Sequence, residues 1–198
     1  MLPSQAQAEP QTFDQQVRQP GNIFLNANPN PSDKDWKGKE YWQRSLIDMR
    51  RLHNKICAYS STWIPHSTGS HSIDHFIAKK IQPGLAYEWS NYRYVSSRFN
   101  SRKGLSQIVD PYKMTFNWFV IDFSDFFIKP NFQLLTPQQI RLANETIDIL
   151  HFNDDEALVD ERVEYYKEYL NKDISFEYLE RSAPFIAFEI NRQNLKTI

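Results

Sequence analysis

Apolar residues recur at helical steps in three stretches of the chain and alternate briefly in the middle, and that division sets the expected architecture. Between residues 35 and 59, Trp36, Tyr41, Trp42, Leu46, Ile47, Met49, Leu52 and Ile56 return mostly every three or four positions, which is the repeat of an amphipathic helix. Ser32 or Asp33 could cap its start, and Arg50, Arg51 and Lys55 gather near its end, where cations suit the helix dipole. From Thr136 onward, TPQQIRLANETIDILHF and DDEALVDERVEYYKEYL carry the same spacing. Thr136 and Asp154 or Asp155 stand where caps belong, and Pro137 suits a first helical turn. In between, Ser72 to Phe76 and Tyr92 to Val95 favour strands and are separated by a loop holding Pro83 and Gly84, while SRFNSRKG reads as a helix start. The aromatic-dense stretch VDPYKMTFNWFVIDFSDFFIKPNFQLL reads as irregular packing with one or two strands. The final APFIAFEINRQN fits a short helix or a strand equally well.

These elements imply an α+β fold: two strands and a helix, within about residues 57 to 106, embedded in a mostly helical single domain over 34 to 198 whose helical C-terminal part spans about 136 to 190. Residues 1 to 33 are rich in Gln, Asn and Pro with few large apolar side chains. Such a composition does not repay the entropy of ordering, so a flexible arm is expected. The small cluster Ile23, Phe24 and Leu25 keeps a partner-binding strand or clamp open as the alternative.

Composition narrows the function classes. The 198 residues are 40% hydrophobic, enough to bury one core. Lys plus Arg (23) and Asp plus Glu (24) nearly cancel, which excludes a globally basic nucleic-acid coat protein and makes any such site local. With Cys57 as the single cysteine, an intrachain disulfide and a Cys-based zinc knuckle are both excluded, and a reducing cytoplasm fits. No apolar run approaches the roughly 20 residues of a membrane span, and the first ten residues lack the order of a secretory signal, so a soluble protein without membrane contact is expected.

The candidate chemistry lies in the middle region. Asp74 and His75 end the first β-favouring run, Asn91 follows the loop, and Asn100 opens the expected helix. One carboxylate and one amide offer the oxygen ligands that a hard cation such as Mg²⁺ or Mn²⁺ prefers, and such an ion keeps waters and accepts phosphate oxygens. A neutral imidazole beside it can take a proton from water. Lys79, Lys80, Arg93, Arg98, Arg102 and Lys103 surround this region while acidic residues crowd the C-terminal half, so a positive cleft for a phosphate backbone is expected, with Lys79, Arg93, Arg98 and Arg102 as contacts.

Together, IDHF, YEWSNYRYVSSRFNSRKG resembles the signature of the HNH (ββα-metal, His-Me finger) endonucleases. That resemblance implies that His75 is the general base, that Asp74 and Asn100 hold one divalent ion, and that Asn91 fixes the loop so that His75 faces the scissile phosphate. It also implies that Lys103, one turn beyond Asn100, reaches a phosphate or the developing charge. The implied product is a cut phosphodiester with a 5′ phosphate. Many members brace the hairpin with zinc on two CxxC pairs. The matching positions here are Cys57 with Ser60 and Ser96 with Phe99, so no structural zinc is expected, with Phe99 filling that space and Cys57 acting as a small buried hydrophobe. His66 and His71 are placed as exposed or supporting groups rather than ligands, and His53 and His151 as packing or surface.

Beyond the motif, the order CAYS, IDHF, AYEWSNYRY, NSRKG, VDPY and ETIDILHFND is similar to a subgroup of bacterial HNH proteins that resemble nuclease subunits of anti-phage defence systems of the Septu and retron-linked kinds. The implied partners are nucleic acid, DNA before RNA, and an ATPase of the ABC or SMC kind. If such a partner docks, the C-terminal helices and the aromatic segment from Trp118 to Phe127 are the surfaces for it; the favoured alternative is that they simply cover the back of the small ββα unit. Two alternatives stand beside this reading: a catalytically silent binding or assembly module on the same fold, and an unrelated α+β protein with a chance pattern.

Overall fold

Phe13, Val17, Gly21 and Phe24 are spaced to fall on one side of a helix, and in the computed structural model, which describes residues 1–196, they do. A π-helical turn at Asp14–Arg18 runs into α1 (Gln19–Ala27). Phe13 packs edge-on against Trp89 and Tyr92 at 5.4 and 5.8 Å, and Phe24 against Trp36 at 5.4 Å. Gly21 lets the Tyr87 ring approach so closely that an added Cβ would lie 2.2 Å from it. The flexible arm expected for residues 1 to 33 is therefore corrected over this helix. Its apolar residues are few, but they are large and share one face, so burying them offsets the ordering cost that composition alone implies.

The chain folds as two units: Gln5–Ile56 with Ile64–Leu105, and Met1–Ser4, Cys57–Trp63 and the chain from Ser106 onward. In the first, the long helix expected over 35 to 59 shrinks to a 3-10 turn at Tyr41–Ser45 followed by α2 (Leu46–Leu52). It stops there because Asn54 and Lys55 take positive φ angles of 51° and 66°, which no continuing helix permits. Next come β1 (His71–His75) and β2 (Tyr92–Ser96), paired antiparallel with Asp74 opposite Arg93 and His75 opposite Tyr92. Directly after β2, α3 (Ser97–Lys103) ends at Gly104, whose φ of +50° breaks the helix. Strand, strand and helix thus follow one another as the polar pattern anticipates.

The second unit carries a hairpin of β3 (Phe119–Asp122) and β4 (Phe127–Pro130) and the helices α4 (Pro137–Ile149), α5 (Glu156–Leu170), α6 (Phe176–Ser182) and α7 (Pro184–Arg192). Thr136 forms the expected capping box with Gln139, whereas the Asp155 side chain at the N-cap of α5 does not cap the helix. The undecided C-terminal segment is helical. Its Glu189 is fully buried yet satisfied, accepting from the Ile121 amide at 2.9 Å and pairing with Arg192 at 2.7 Å. No helix among the described residues is long and apolar enough to cross a membrane.

Replacing Phe13 with Ala should lower unfolding stability by about 3 kcal/mol in urea denaturation, the usual cost of emptying a buried aromatic site. Gln11→Ala, at an exposed position, should leave it unchanged; equal and negligible effects would restore the flexible-arm reading.

Candidate active site

Side chains leave a strand on alternate faces, so the β1–β2 hairpin sorts its polar residues into two sets. Ser72 and Asp74 point to one side with Arg93; His71 and His75 point to the other with Tyr92 and Tyr94. The first side is covered by α3, on which Asn100 and Lys103 are one turn apart and therefore neighbours. Asn100 Nδ2 donates to Ser72 Oγ at 3.0 Å and to the Ile73 carbonyl at 3.2 Å. Lys103 Nζ donates to the Asp74 carboxylate at 3.1 and 3.2 Å and to the His75 carbonyl at 3.2 Å. Asp74 and Asn100 therefore line the same seam between β1 and α3.

That seam is dry. Asp74 is 3% and Lys103 1% exposed, so the two opposite charges compensate one another where solvent does not reach. The expectation that Lys103 reaches a phosphate is corrected here: its ammonium is enclosed on Asp74. Arg93 departs likewise from the expected contact set. It is 3% exposed, donates to the carbonyls of Ser90 and Tyr92 at 2.9 Å each, and lies over the Phe76 ring at 4.8 Å. Of the remaining expected contacts, Arg98 is exposed, Arg102 is half-buried over Phe99, and Lys79 is half-buried over Trp36 and Trp42.

His75 is half-buried, with its ring edge-on to Trp42 at 4.7 Å and to Tyr92 at 5.4 Å. Nε2 lies 2.9 Å from the Ala86 carbonyl. A carbonyl only accepts, so Nε2 carries the hydrogen and Nδ1 remains the basic nitrogen. The same carbonyl accepts from Tyr92 Oη at 2.8 Å, which fixes it in place. Burial drives the imidazole pKa down to about 4; the bond to Ala86 opposes that shift, and the charges of Lys79 and Lys103 add to it. His75 is consequently neutral at neutral pH.

Asn91 locks the loop that carries Ala86. Its Oδ1 accepts from the Ile77 amide at 2.8 Å, and its Nδ2 donates to the carbonyls of Ile77 and Leu85 at 2.9 and 3.1 Å. All three of these bonds go to loop backbone. Trp42, Tyr92 and the Ala86 carbonyl escaped the sequence reading because a ring wall and a backbone acceptor carry no motif. The aromatic spacing of Trp36, Tyr41 and Trp42 was the available signal. His71 lies on the face opposite Asp74, with Nδ1 at 3.0 Å from Tyr94 Oη, and so is not a further ligand of that seam.

Among the described residues no three His, Cys, Asp or Glu side chains gather as a metal cluster. Any cation at Asp74 would thus need amide, backbone or water oxygens as its other ligands. Asn100 fits that demand, because its amide nitrogen is already committed and its Oδ1 is the oxygen left over. No protein-family model matches this sequence, and no curated protein matches it.

Removing one partner of a buried pair exposes the cost of the other. Lys103→Ala should therefore lower stability by about 3 to 5 kcal/mol in urea unfolding, and adding Asp74→Ala should recover much of that loss. If the single variant is as stable as the parent, the pair is not the compensated unit described. A second expectation concerns acid. His53 and His75 have folded pKa values of about 4 against an ordinary 6.5, lowered chiefly by burial. The unfolded chain thus binds more protons between those pH values, and stability falls as pH drops through that window, by up to about 3 kcal/mol per residue. Denaturation midpoints at pH 7 and pH 4.5 check this, and His53→Phe should flatten part of the dependence.

Proposed function

We propose that this protein is a metal-dependent endonuclease of the HNH kind that hydrolyses phosphodiester bonds of nucleic acid. The observation that carries the reading is the seam itself. A strand–strand–helix order brings Asp74 and Asn100 to one side of β1, while a neutral imidazole with a single basic nitrogen is the next residue along. Asp74 and Asn100 would hold Mg²⁺ or Mn²⁺, which, when bound, supplies positive charge to the phosphate oxygens.

The chain's own residues supply the rest. His75, oriented through Ala86, takes a proton from water at Nδ1. Asn91 keeps the 77–85 loop rigid, so that the Ala86 carbonyl and the imidazole stay in register. Arg98 and Arg102 on α3 and Lys79 on the loop offer positive charge for a passing backbone, which favours a sequence-tolerant, salt-sensitive contact. DNA as substrate, an ABC- or SMC-type ATPase partner and a role in anti-phage defence rest on the wider resemblance in the order of segments from CAYS to ETIDILHFND.

One observation favours a second reading, a silent binding module on the same fold: Lys103 already neutralises the Asp74 carboxylate. Plasmid cleavage separates the two. The purified chain should nick plasmid with Mg²⁺ or Mn²⁺, stop on chelation, and lose at least about a hundredfold in rate in His75→Ala, the scale of a lost general base. Nucleic-acid binding without cleavage in either protein would select the silent module.

A further inference from the structure

A second polar group lies on α2, whose C-terminal neighbour His53 stacks on Tyr94 of the hairpin. Arg50, on α2, is only 8% exposed, and its Nε is fully enclosed with no hydrogen-bond partner. A guanidinium has five N–H donors, and among the described residues those of Arg50 enter no hydrogen bond and no ion pair. The carboxylate nearest in sequence, Asp48, pairs with Arg51 instead. Because only Nε is sealed in, the terminal nitrogens keep contact with solvent. A cation held so deeply without an anion costs stability, and it suits a site completed by an anionic ligand.

Neighbouring groups match that demand. The Tyr94 ring stacks on His53 at 6.5 Å and stands edge-on to His71 at 5.8 Å, with its hydroxyl on His71 Nδ1. That bond fixes the His71 ring and leaves Nε2 without a partner among the described residues. The exposed His66 ring lies 6.1 Å from His71. Burial lowers the pKa of His71, and the charges that lower it further are those of Arg50 and His66. The local field is thus positive.

From these groups we infer that Arg50 and His71, with His66 at the rim, form a binding site for a phosphate group, distinct from the Asp74 seam. Resting on the nuclease reading, the ligand is a backbone phosphate of the nucleic acid. His71 and His75 share one face of β1 four residues apart, roughly 13 Å along the strand. A nucleic-acid strand presents a phosphate every 3.4 Å or so of helix axis, so a strand lying along β1 can present one phosphate at His75 and another at His71.

The test uses the full chain and two probes: a fluorescent oligonucleotide followed by anisotropy across salt concentrations, and inorganic phosphate followed through the His71 ring protons by NMR. Arg50→Met should weaken oligonucleotide affinity about tenfold at low salt, the scale of one charge-assisted contact, and reduce the salt slope by about 0.7 to 0.9. It should also abolish the phosphate-induced shift of His71, with no loss of thermal stability. His71→Gln should weaken binding about fivefold and serves as the readout if Arg50→Met does not fold. Loss of the phosphate response with oligonucleotide binding intact assigns the site to a free phosphate or phosphomonoester. Both probes unaffected overturn the inference. An Arg50 effect on binding in a protein that never cleaves keeps this site and removes the nuclease reading, so the two fail separately.

Discussion

A buried carboxylate cannot stay ionised in a protein interior without a cation beside it, and around that constraint the hairpin unit is arranged. Asp74 sits on the side of β1 that α3 covers, and Lys103 reaches it from the last turn of α3. The helix is thereby tied to the strand at its C-terminal end by an ion pair and one turn earlier by the Asn100 bonds to Ser72 and Ile73. A divalent ion in place of the ammonium would satisfy the carboxylate and leave one positive charge over, which a phosphate could balance. A lysine in that position can therefore guard a cation site as well as substitute for one.

Strand alternation then divides the labour. The ion-pairing residues face α3, whereas His71 and His75 face the aromatic and helical residues on the opposite side. The separation keeps the imidazole of His75 away from the carboxylate, which would otherwise raise its pKa. Instead burial and two lysines hold it near 4. The loop between the strands contributes the remaining constraint through Asn91, whose amide occupies three backbone groups and so fixes the Ala86 carbonyl on which the histidine tautomer depends.

Much of this was legible from residue patterns, and what was not has physical reasons. The two strands and the following helix emerge from β-favouring runs and the SRFNSRKG stretch within a residue or two, because local propensity and tertiary packing agree there. Around residues 35 to 59 the apolar spacing overstated the helix, since Asn54 and Lys55 adopt left-handed conformations that no periodicity reveals. The N-terminal helix was hidden for the opposite reason: a polar composition masks four positions whose spacing, including a glycine, matters more than their number. For the site, the motif gave the residue types but not their environment. Arg93 and Lys103 look like phosphate contacts in sequence, yet their burial is decided by Phe76 and Asp74, which only the fold brings to them. Arg50 stands in sequence as one of three cations near a helix end, and spacing alone does not reveal that it is buried.

The claim with most depending on it is that Asp74 and Asn100 together accept a divalent cation in place of the Lys103 ammonium. Calorimetric titration of Mn²⁺ into the full chain addresses it without reference to any reaction. One saturable ion should bind, with binding lost in Asp74→Asn, weakened in Asn100→Ala and strengthened in Lys103→Met. Absence of binding in the parent chain, or an affinity indifferent to Asp74 and Lys103, would contradict it.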